Sequence, residues 1–293
     1  MFDTAIIGTG PAGLSAAINL KNRGKSVLWF GSAQMSGKVE KSERIANYPG
    51  LGLISGQELN EKLREHAKTL GLEITDRMVT MVTRMKDSFM LLADNEIFEA
   101  KTLILCTGVV PAKGLPGEAE LLGRGVSYCA TCDGMFYRGK TIAVLCGAKR
   151  YEHEVKYLAQ IAEKLYLFAA YPDCEVEAEN IERLSAAIRE VKGEKKVSSI
   201  VLRDGTQIPV DGLFCLRSAI SPTALLPGLS LDGAHITVDR QMRTSIPGCF
   251  AAGDCVGAPY QIAKAVGDGN VAAHAALDYL AETEKRISQA MYG

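Results

Sequence analysis

The sequence of 293 residues has no run of about 18 uninterrupted apolar residues, so no segment reaches the length of a membrane-spanning helix. It also lacks a dominant charge. A formal net charge of -1 leaves no broad electrostatic footprint for nucleic acid or for an anionic membrane. Low-complexity tracts are missing. Eight cysteines are too few for a secreted disulfide scaffold, and the four histidines (His66, His153, His235 and His274) are dispersed. A structural zinc site wants four ligands, and the chain has one close cysteine pair, Cys129 and Cys132, so no metal is expected. The other six, Cys106, Cys146, Cys174, Cys215, Cys249 and Cys255, read as small buried hydrophobes in a reducing compartment. The N-terminal stretch MFDTAIIGTGPAGLSAAINL has no basic leader and is broken by glycines, so it reads as the first strand and helix of the mature fold. The expectation is a soluble, cytoplasmic protein.

What is present is ordinary globular composition, 47% hydrophobic and 23% charged, in a chain long enough for two cores. Three stretches share a rhythm of strand, glycine turn and helix: Asp3–Lys21, Thr141–Ala159 and Gly248–Leu280. Alternating strands and helices imply parallel sheets with helices on their faces. Short strands are expected at Phe89–Ala93, Glu96–Phe98, Leu103–Thr107, Ser199–Leu202 and Gln207–Val210. Turn formers at Val110–Gly114 and Arg217–Pro222 mark two crossings between domains. The expected fold class is α/β, with two Rossmann-like, doubly wound, three-layer domains. One is split across residues 1–112 and 219–293, and the second is inserted at 113–218.

Two motifs carry chemistry. Gly8-Thr9-Gly10-Pro11-Ala12-Gly13 follows a strand, Thr4–Ile7, and opens a helix. In such a turn the first glycine permits the bend, the second admits a pyrophosphate close to the backbone, and the third lets helix and strand pack closely. The second expected strand, Ser26–Phe30, ends in Gly31-Ser32, with no acid there to hold a ribose. Cys129-Ala130-Thr131-Cys132-Asp133 places two thiols two residues apart at an expected helix start, a spacing that can close a small disulfide ring, with Asp133 available to exchange a proton. A third segment, Thr244–Asp254, ends in Gly253-Asp254 before a helix expected from about Gln261. An acid beyond a strand's carboxyl end can accept hydrogen bonds from a polyol, and the next helix's N-terminus can face an electron-rich ring.

Through GTGPAG, Asn47-Tyr48-Pro49-Gly50, Cys106-Thr107-Gly108, GRGVSYCATCDGMFYRGK and TSIPGCFAAGD, in that order, the chain resembles the low-molecular-weight flavin thioredoxin reductases over nearly its whole length. The resemblance implies FAD in the split domain. Its contacts would come from Gly8, Gly10, Pro11, Ala12 and Gly13, from Asn47, from Thr107 and Gly108, from Gly253 and Asp254, and from Gln261, Ile262 and Ala263 at the start of the last helix. It further implies a Cys129–Cys132 disulfide in exchange with the flavin, a thioredoxin acceptor and a homodimer. By the family's pattern Cys132 faces the flavin, Cys129 attacks thioredoxin, and Asp133 is the acid/base.

The resemblance fails at both nucleotide-recognition sites of the inserted domain. Members that use NADPH carry GxGxxA in the inserted domain, and the three positions are here Cys146, Ala148 and Tyr151. Glu152 and Glu154 add negative charge in the helix's first turn, and the arginine pair for the 2′-phosphate falls on Ala170 and Tyr171. In this the chain is similar to the ferredoxin-dependent flavin thioredoxin reductases, which implies reduced ferredoxin as donor. An acidic ferredoxin would need a locally basic face, for which Arg138, Lys140, Lys149 and Arg150 are candidates. Three alternatives stand beside this reading: a flavin dithiol oxidase using oxygen, an NADPH enzyme with an atypical nucleotide site, and a flavin-containing sensor that does not turn over. Tyr128, directly before Cys129, is expected to pack in the core instead of stacking on a flavin.

Overall fold

The computed structural model describes residues 1–94, 96–109, 114–118, 120–128, 130–217 and 220–292, and of Cys132, Ile287, Ala290, Met291 and Tyr292 the backbone only. The chain divides into two compact units, Met1–Ala112 with Leu225–Gly293, and Lys113–Ala224. Both are α/β, as expected.

In the first unit, the strand Phe2–Ile7 lies between Val27–Phe30 and Glu96–Leu105, parallel to both. Its inner residues Thr4, Ala5 and Ile6 are fully buried, as a strand covered on both faces requires, and its two polar side chains, Asp3 and Thr4, are hydrogen-bonded. Where the sequence predicts two short strands, Glu96–Phe98 and Leu103–Thr107, there is one strand, Glu96–Leu105, that begins as a hairpin partner of Phe89–Ala93 and ends in the parallel core. The intervening polar residues, a break in the apolar pattern, all have partners. Ser88 donates to Glu99 at 2.7 Å, Lys101 to Asp3 at 2.8 Å, and Thr102 shares a buried 2.8 Å hydrogen bond with Thr4. The strand Cys249–Ala251 pairs with the inner half of the same strand.

The helices Pro11–Asn22 and Ile262–Tyr292 pack together in one core cluster that includes Leu14, Ala16, Ala272 and Ala276. The C-terminal helix has 31 residues, well beyond the Leu280 at which the sequence reading stops. No helix among the described residues is long and apolar enough to cross a membrane.

Asp3 ties three strands together, accepting from Lys101 and from the Ser26 backbone and hydroxyl. Burial opposes its charge, but these donors outweigh it and hold the carboxyl down at about 2. A depressed carboxylate stabilises the fold above its unfolded pKa, and the contribution disappears as pH falls from about 4 towards 2. After allowance for solvent screening it amounts to about 1 kcal/mol. Asp3→Asn is expected to lose that at neutral pH and to flatten the acid limb, read as denaturant midpoints across this range.

The second unit holds a five-stranded parallel sheet in the order Ile181–Arg183, Lys164–Ala169, Thr141–Cys146, Gly212–Leu216, Val126–Ser127. A separate antiparallel sheet joins Ile188–Lys192, Ser199–Leu202 and Gln207–Pro209. The turn at Arg203-Asp204-Gly205 closes by an Asp204 side chain that accepts from the Thr206 N–H at 2.9 Å, with Gly205 at φ 92°. Helix Glu152–Ile161 follows the central strand through a single 3-10 turn, Lys149–Tyr151.

Candidate functional site

The N-terminal glycine turn is built by close contact. A Cβ on Gly8, where φ is 120°, would lie 2.1 Å from the Cys106 carbonyl oxygen, and one on Gly13 would lie 1.9 Å from the Gly8 carbonyl oxygen. Gly10 differs, because a Cβ there would meet nothing within 4 Å. Its backbone is extended, Pro11 starts the helix, no side chain caps the helix and no acid stands in its first turn. The first N–H groups of a 12-residue helix therefore face open space with the positive end of the dipole, a ready anion cradle.

Residues some 240 positions apart complete this cradle. A Cβ on Gly253 would lie 2.9 Å from the Ala12 Cβ, and one on Gly269 would lie 2.1 Å from the Ala12 carbonyl oxygen, so Ala12 is held between the Gly-Asp turn and the C-terminal helix. Ser15 donates to the Val266 carbonyl at 2.7 Å. Asp254 pairs with Lys38 at 2.6 Å, and Asn47 donates to Gln261 at 2.7 Å, placing the segments that carry Asn47, Asp254 and Gln261 side by side. Ile262 and Ala263 open the C-terminal helix, again with no acid in its first turn. Thr107 and Gly108 follow the strand end at Leu105, beside Ala252 and Cys255. The Thr107 hydroxyl is buried with no protein partner, among the described residues, beyond the Cys255 thiol. Burial pushes Cys255 up to about 11 and Cys106 well above the usual thiol range, so both are protonated and inert at neutral pH.

In the second unit, Cys129 and the Cys132 side chain lie outside the described residues, as do parts of both expected crossings, 110–113 and 218–219. The helix expected at the motif is one turn, Ala130–Asp133, continued as a 3-10 turn, Gly134–Tyr137. A helix that short has little macrodipole, so any activation of the thiols must come from local donors rather than from a long helix axis. Asp133 is partly exposed. Gly134 is buried against the next helix: a Cβ there would lie 3.0 Å from Tyr157 and Ile161 side-chain atoms. The helix after the degenerate turn is thus the seat of the dithiol turn. Met135 and Phe136, just beyond, are 52% and 72% exposed.

The degenerate turn is filled by protein. Tyr151 is buried, with Arg150 over its ring, and the Glu152 carboxylate accepts from Tyr171 at 3.0 Å and from the Glu175 N–H at 3.1 Å. Lys149 pairs with Glu175 at 2.6 Å. Cys146 lies at the strand end, Ala148 is extended, and Ala170 is exposed.

Sequence reasoning missed one buried cluster. Glu118, 2% exposed, accepts from Arg217, from the Tyr128 hydroxyl at 2.8 Å and from the Leu115 N–H at 2.7 Å. Burial above all, then the adjacent carboxylate, raises the Tyr128 phenol. Tyr128 packs in the core with Leu122 and Leu213. The cluster joins the chain after the first crossing to Arg217 at the second, and no local pattern links positions 99 residues apart.

The sequence profile of the pyridine nucleotide-disulphide oxidoreductases matches residues 2–269. The chain belongs to that family. Among curated relatives, a thioredoxin reductase of Helicobacter pylori is 36% identical, covering 96% of this chain and 99% of the relative, and one of Treponema pallidum is 33% identical, covering 95% and 97%. Among solved structures, a ferredoxin-flavin thioredoxin reductase from Clostridium acetobutylicum is 44% identical with a TM-score of 0.88, covering 97% of this chain and 98% of that one. As a member of the family the chain is an oxidoreductase acting on disulfides, and its cofactor is FAD. The residues fit that cofactor: an uncapped helix N-terminus behind an unobstructed Gly10 suits a pyrophosphate, and the buried Thr107 hydroxyl has hydrogen-bonding capacity to spare.

Proposed function

We propose that this chain is a thioredoxin reductase that takes electrons from reduced ferredoxin and passes them by way of FAD and the Cys129–Cys132 disulfide to thioredoxin, as a homodimer. The observation that carries the choice of donor is the protein-filled turn at Cys146–Glu152. A pyrophosphate there would meet the Tyr151 ring and the Glu152 carboxylate, and at Ala170 and Tyr171 a 2′-phosphate would find no guanidinium. The similarity to a ferredoxin-flavin thioredoxin reductase supports the same reading.

FAD supplies the step between single electrons and the electron pair a disulfide requires. Gly8, Gly10, Pro11, Ala12 and Gly13 would hold its pyrophosphate, Asp254 its polyol, and Asn47, Thr107, Gly108, Gly253, Gln261, Ile262 and Ala263 the remainder. In the reduced dithiol, the Cys129 thiolate attacks the thioredoxin disulfide, forming one S–S bond as another breaks. Cys132 then attacks Cys129, restores the Cys129–Cys132 disulfide and releases reduced thioredoxin. Asp133 gives and takes the protons that these thiolates exchange. The exposed Met135 and Phe136 offer apolar contact to a protein acceptor beside the dithiol.

The test is thioredoxin reduction driven by equal electron equivalents of reduced ferredoxin or NADPH. Loss of the phosphate-binding hydrogen bonds predicts a rate with NADPH at least about a hundredfold lower. Comparable rates would overturn the assignment. Arg138, Lys140, Lys149 and Arg150 are all exposed, but Lys149 is committed to Glu175 and Arg150 to the Tyr151 ring and hydroxyl, so Arg138 and Lys140 are the stronger candidates for docking an acidic ferredoxin. Arg138→Glu with Lys140→Glu is expected to slow flavin reduction by ferredoxin about tenfold at low ionic strength and to flatten its salt dependence. An unchanged salt profile removes these residues from the docking face.

A further inference from the structure

Two of the six single cysteines do not behave as buried hydrophobes. Cys174 is only half-buried, and Cys146, though fully buried, sits against oxygen atoms: its sulfur lies 3.4 Å from the Ala148 carbonyl oxygen and 3.7 Å from the Tyr171 hydroxyl, either of which can accept its one proton. The same hydroxyl lies 3.3 Å from the Cys174 sulfur. With both sulfurs on one oxygen, they lie within about 7 Å of each other, so an S–S bond would need both side chains to turn towards each other and the loop that carries Cys174 to close. That loop, between the strand Lys164–Ala169 and buried Val176, contains Asp173 at a left-handed φ of 54°.

We propose that Cys146 and Cys174, held in register by Tyr171, are a second redox-active dithiol that hydroperoxides convert into an intramolecular disulfide. The two sulfurs have different parts. Cys174 is partly open to solvent, and the Tyr171 proton, which otherwise goes to Glu152 at 3.0 Å, can turn to a Cys174 thiolate. That thiolate attacks one peroxide oxygen, the O–O bond breaks, and the other oxygen takes up the proton that the thiol released and leaves as water, or as an alcohol from an organic hydroperoxide, giving a Cys174 sulfenic acid. The Cys146 sulfur then attacks the Cys174 sulfur: the S–S bond forms, the S–O bond breaks, and the second oxygen leaves as water. Two thiols lose two electrons, and the peroxide takes them. Cys106, Cys215, Cys249 and Cys255 are buried, with no thiol open to solvent as Cys174 is.

The test treats the full-length, FAD-loaded protein with hydrogen peroxide, alkylates the remaining thiols and maps the peptides. The same is done on the Cys129→Ser, Cys132→Ser variant, so that the proposed Cys129–Cys132 dithiol cannot contribute. The expected product in both is a peptide pair linked through Cys146 and Cys174 and separated by dithiothreitol. Tyr171→Phe should form it about tenfold more slowly, through loss of the hydrogen bond to the thiolate. Oxidation of Cys174 to a sulfinic acid with Cys146 still alkylated, no reaction at either, or an unchanged rate in Tyr171→Phe would overturn the proposal.

Discussion

Replacing Cys129 by serine is expected to lower ferredoxin-driven thioredoxin reduction by about three orders of magnitude or more, to background, while the flavin remains reducible by ferredoxin. A serine hydroxyl is not ionised near neutral pH and cannot form the mixed disulfide, so the relay ends before the acceptor. The reciprocal variant separates the two thiols. Cys132→Ser leaves Cys129 able to attack thioredoxin but removes the thiol that resolves the adduct, so a covalent complex with thioredoxin should accumulate on a non-reducing gel once the enzyme is reduced. Persistent turnover in Cys129→Ser, or an adduct in that variant instead of in Cys132→Ser, would reverse the assigned order of attack.

Gly10→Val is expected to reduce FAD affinity by about a hundredfold or more while leaving the stability of the apoprotein within about 0.5 kcal/mol. The basis is the contrast among the three glycines. At Gly10 the backbone is in an ordinary extended conformation and a Cβ meets nothing within 4 Å, so the fold itself has room where a side chain would start. The space it would enter lies at the free N–H groups of the helix, where a pyrophosphate would stand. At Gly13 a Cβ would come within 1.9 Å of the Gly8 carbonyl oxygen, so Gly13→Ala should damage folding and cofactor binding together, by about 1–3 kcal/mol or more. Measuring FAD retention and apoprotein melting for both variants distinguishes a nucleotide cradle from a merely tight turn. Equal FAD binding in Gly10→Val and the parent would refute the cradle.

The parts of this arrangement that were legible in the sequence are those set by short spacing. The glycine turn and the loss of glycine at Cys146, Ala148 and Tyr151 each lie within a few residues, and each type of residue there has one physical reason to be present or absent. What was not legible depends on partners far along the chain. The polar run Glu99–Thr102 looked like a gap between strands because Asp3, Thr4 and Ser88, which satisfy it, are remote or act across the sheet. The Glu118–Arg217–Tyr128 cluster and the Asn47–Gln261 pair join positions that only the fold brings together. In the sequence Cys174 reads as another buried thiol, because nothing local announces that Tyr171 and Glu152 meet beside it. The single-turn helix at Ala130–Asp133 is likewise a tertiary result: Gly134 lets the chain settle against Tyr157 and Ile161, and the turn tightens there.

The central claim is that the degenerate turn of the second unit has no use for a nucleotide and that electrons arrive singly from a protein. Its most direct test is anaerobic flavin bleaching in the FAD-loaded protein, comparing stoichiometric NADPH and NADH with enzymatically reduced ferredoxin and then adding oxidised thioredoxin. Bleaching by ferredoxin alone, reversed by thioredoxin, is the predicted result. Rapid bleaching by NADPH would contradict it, and would mean that the turn around Tyr151 and Glu152 opens to accept the nucleotide.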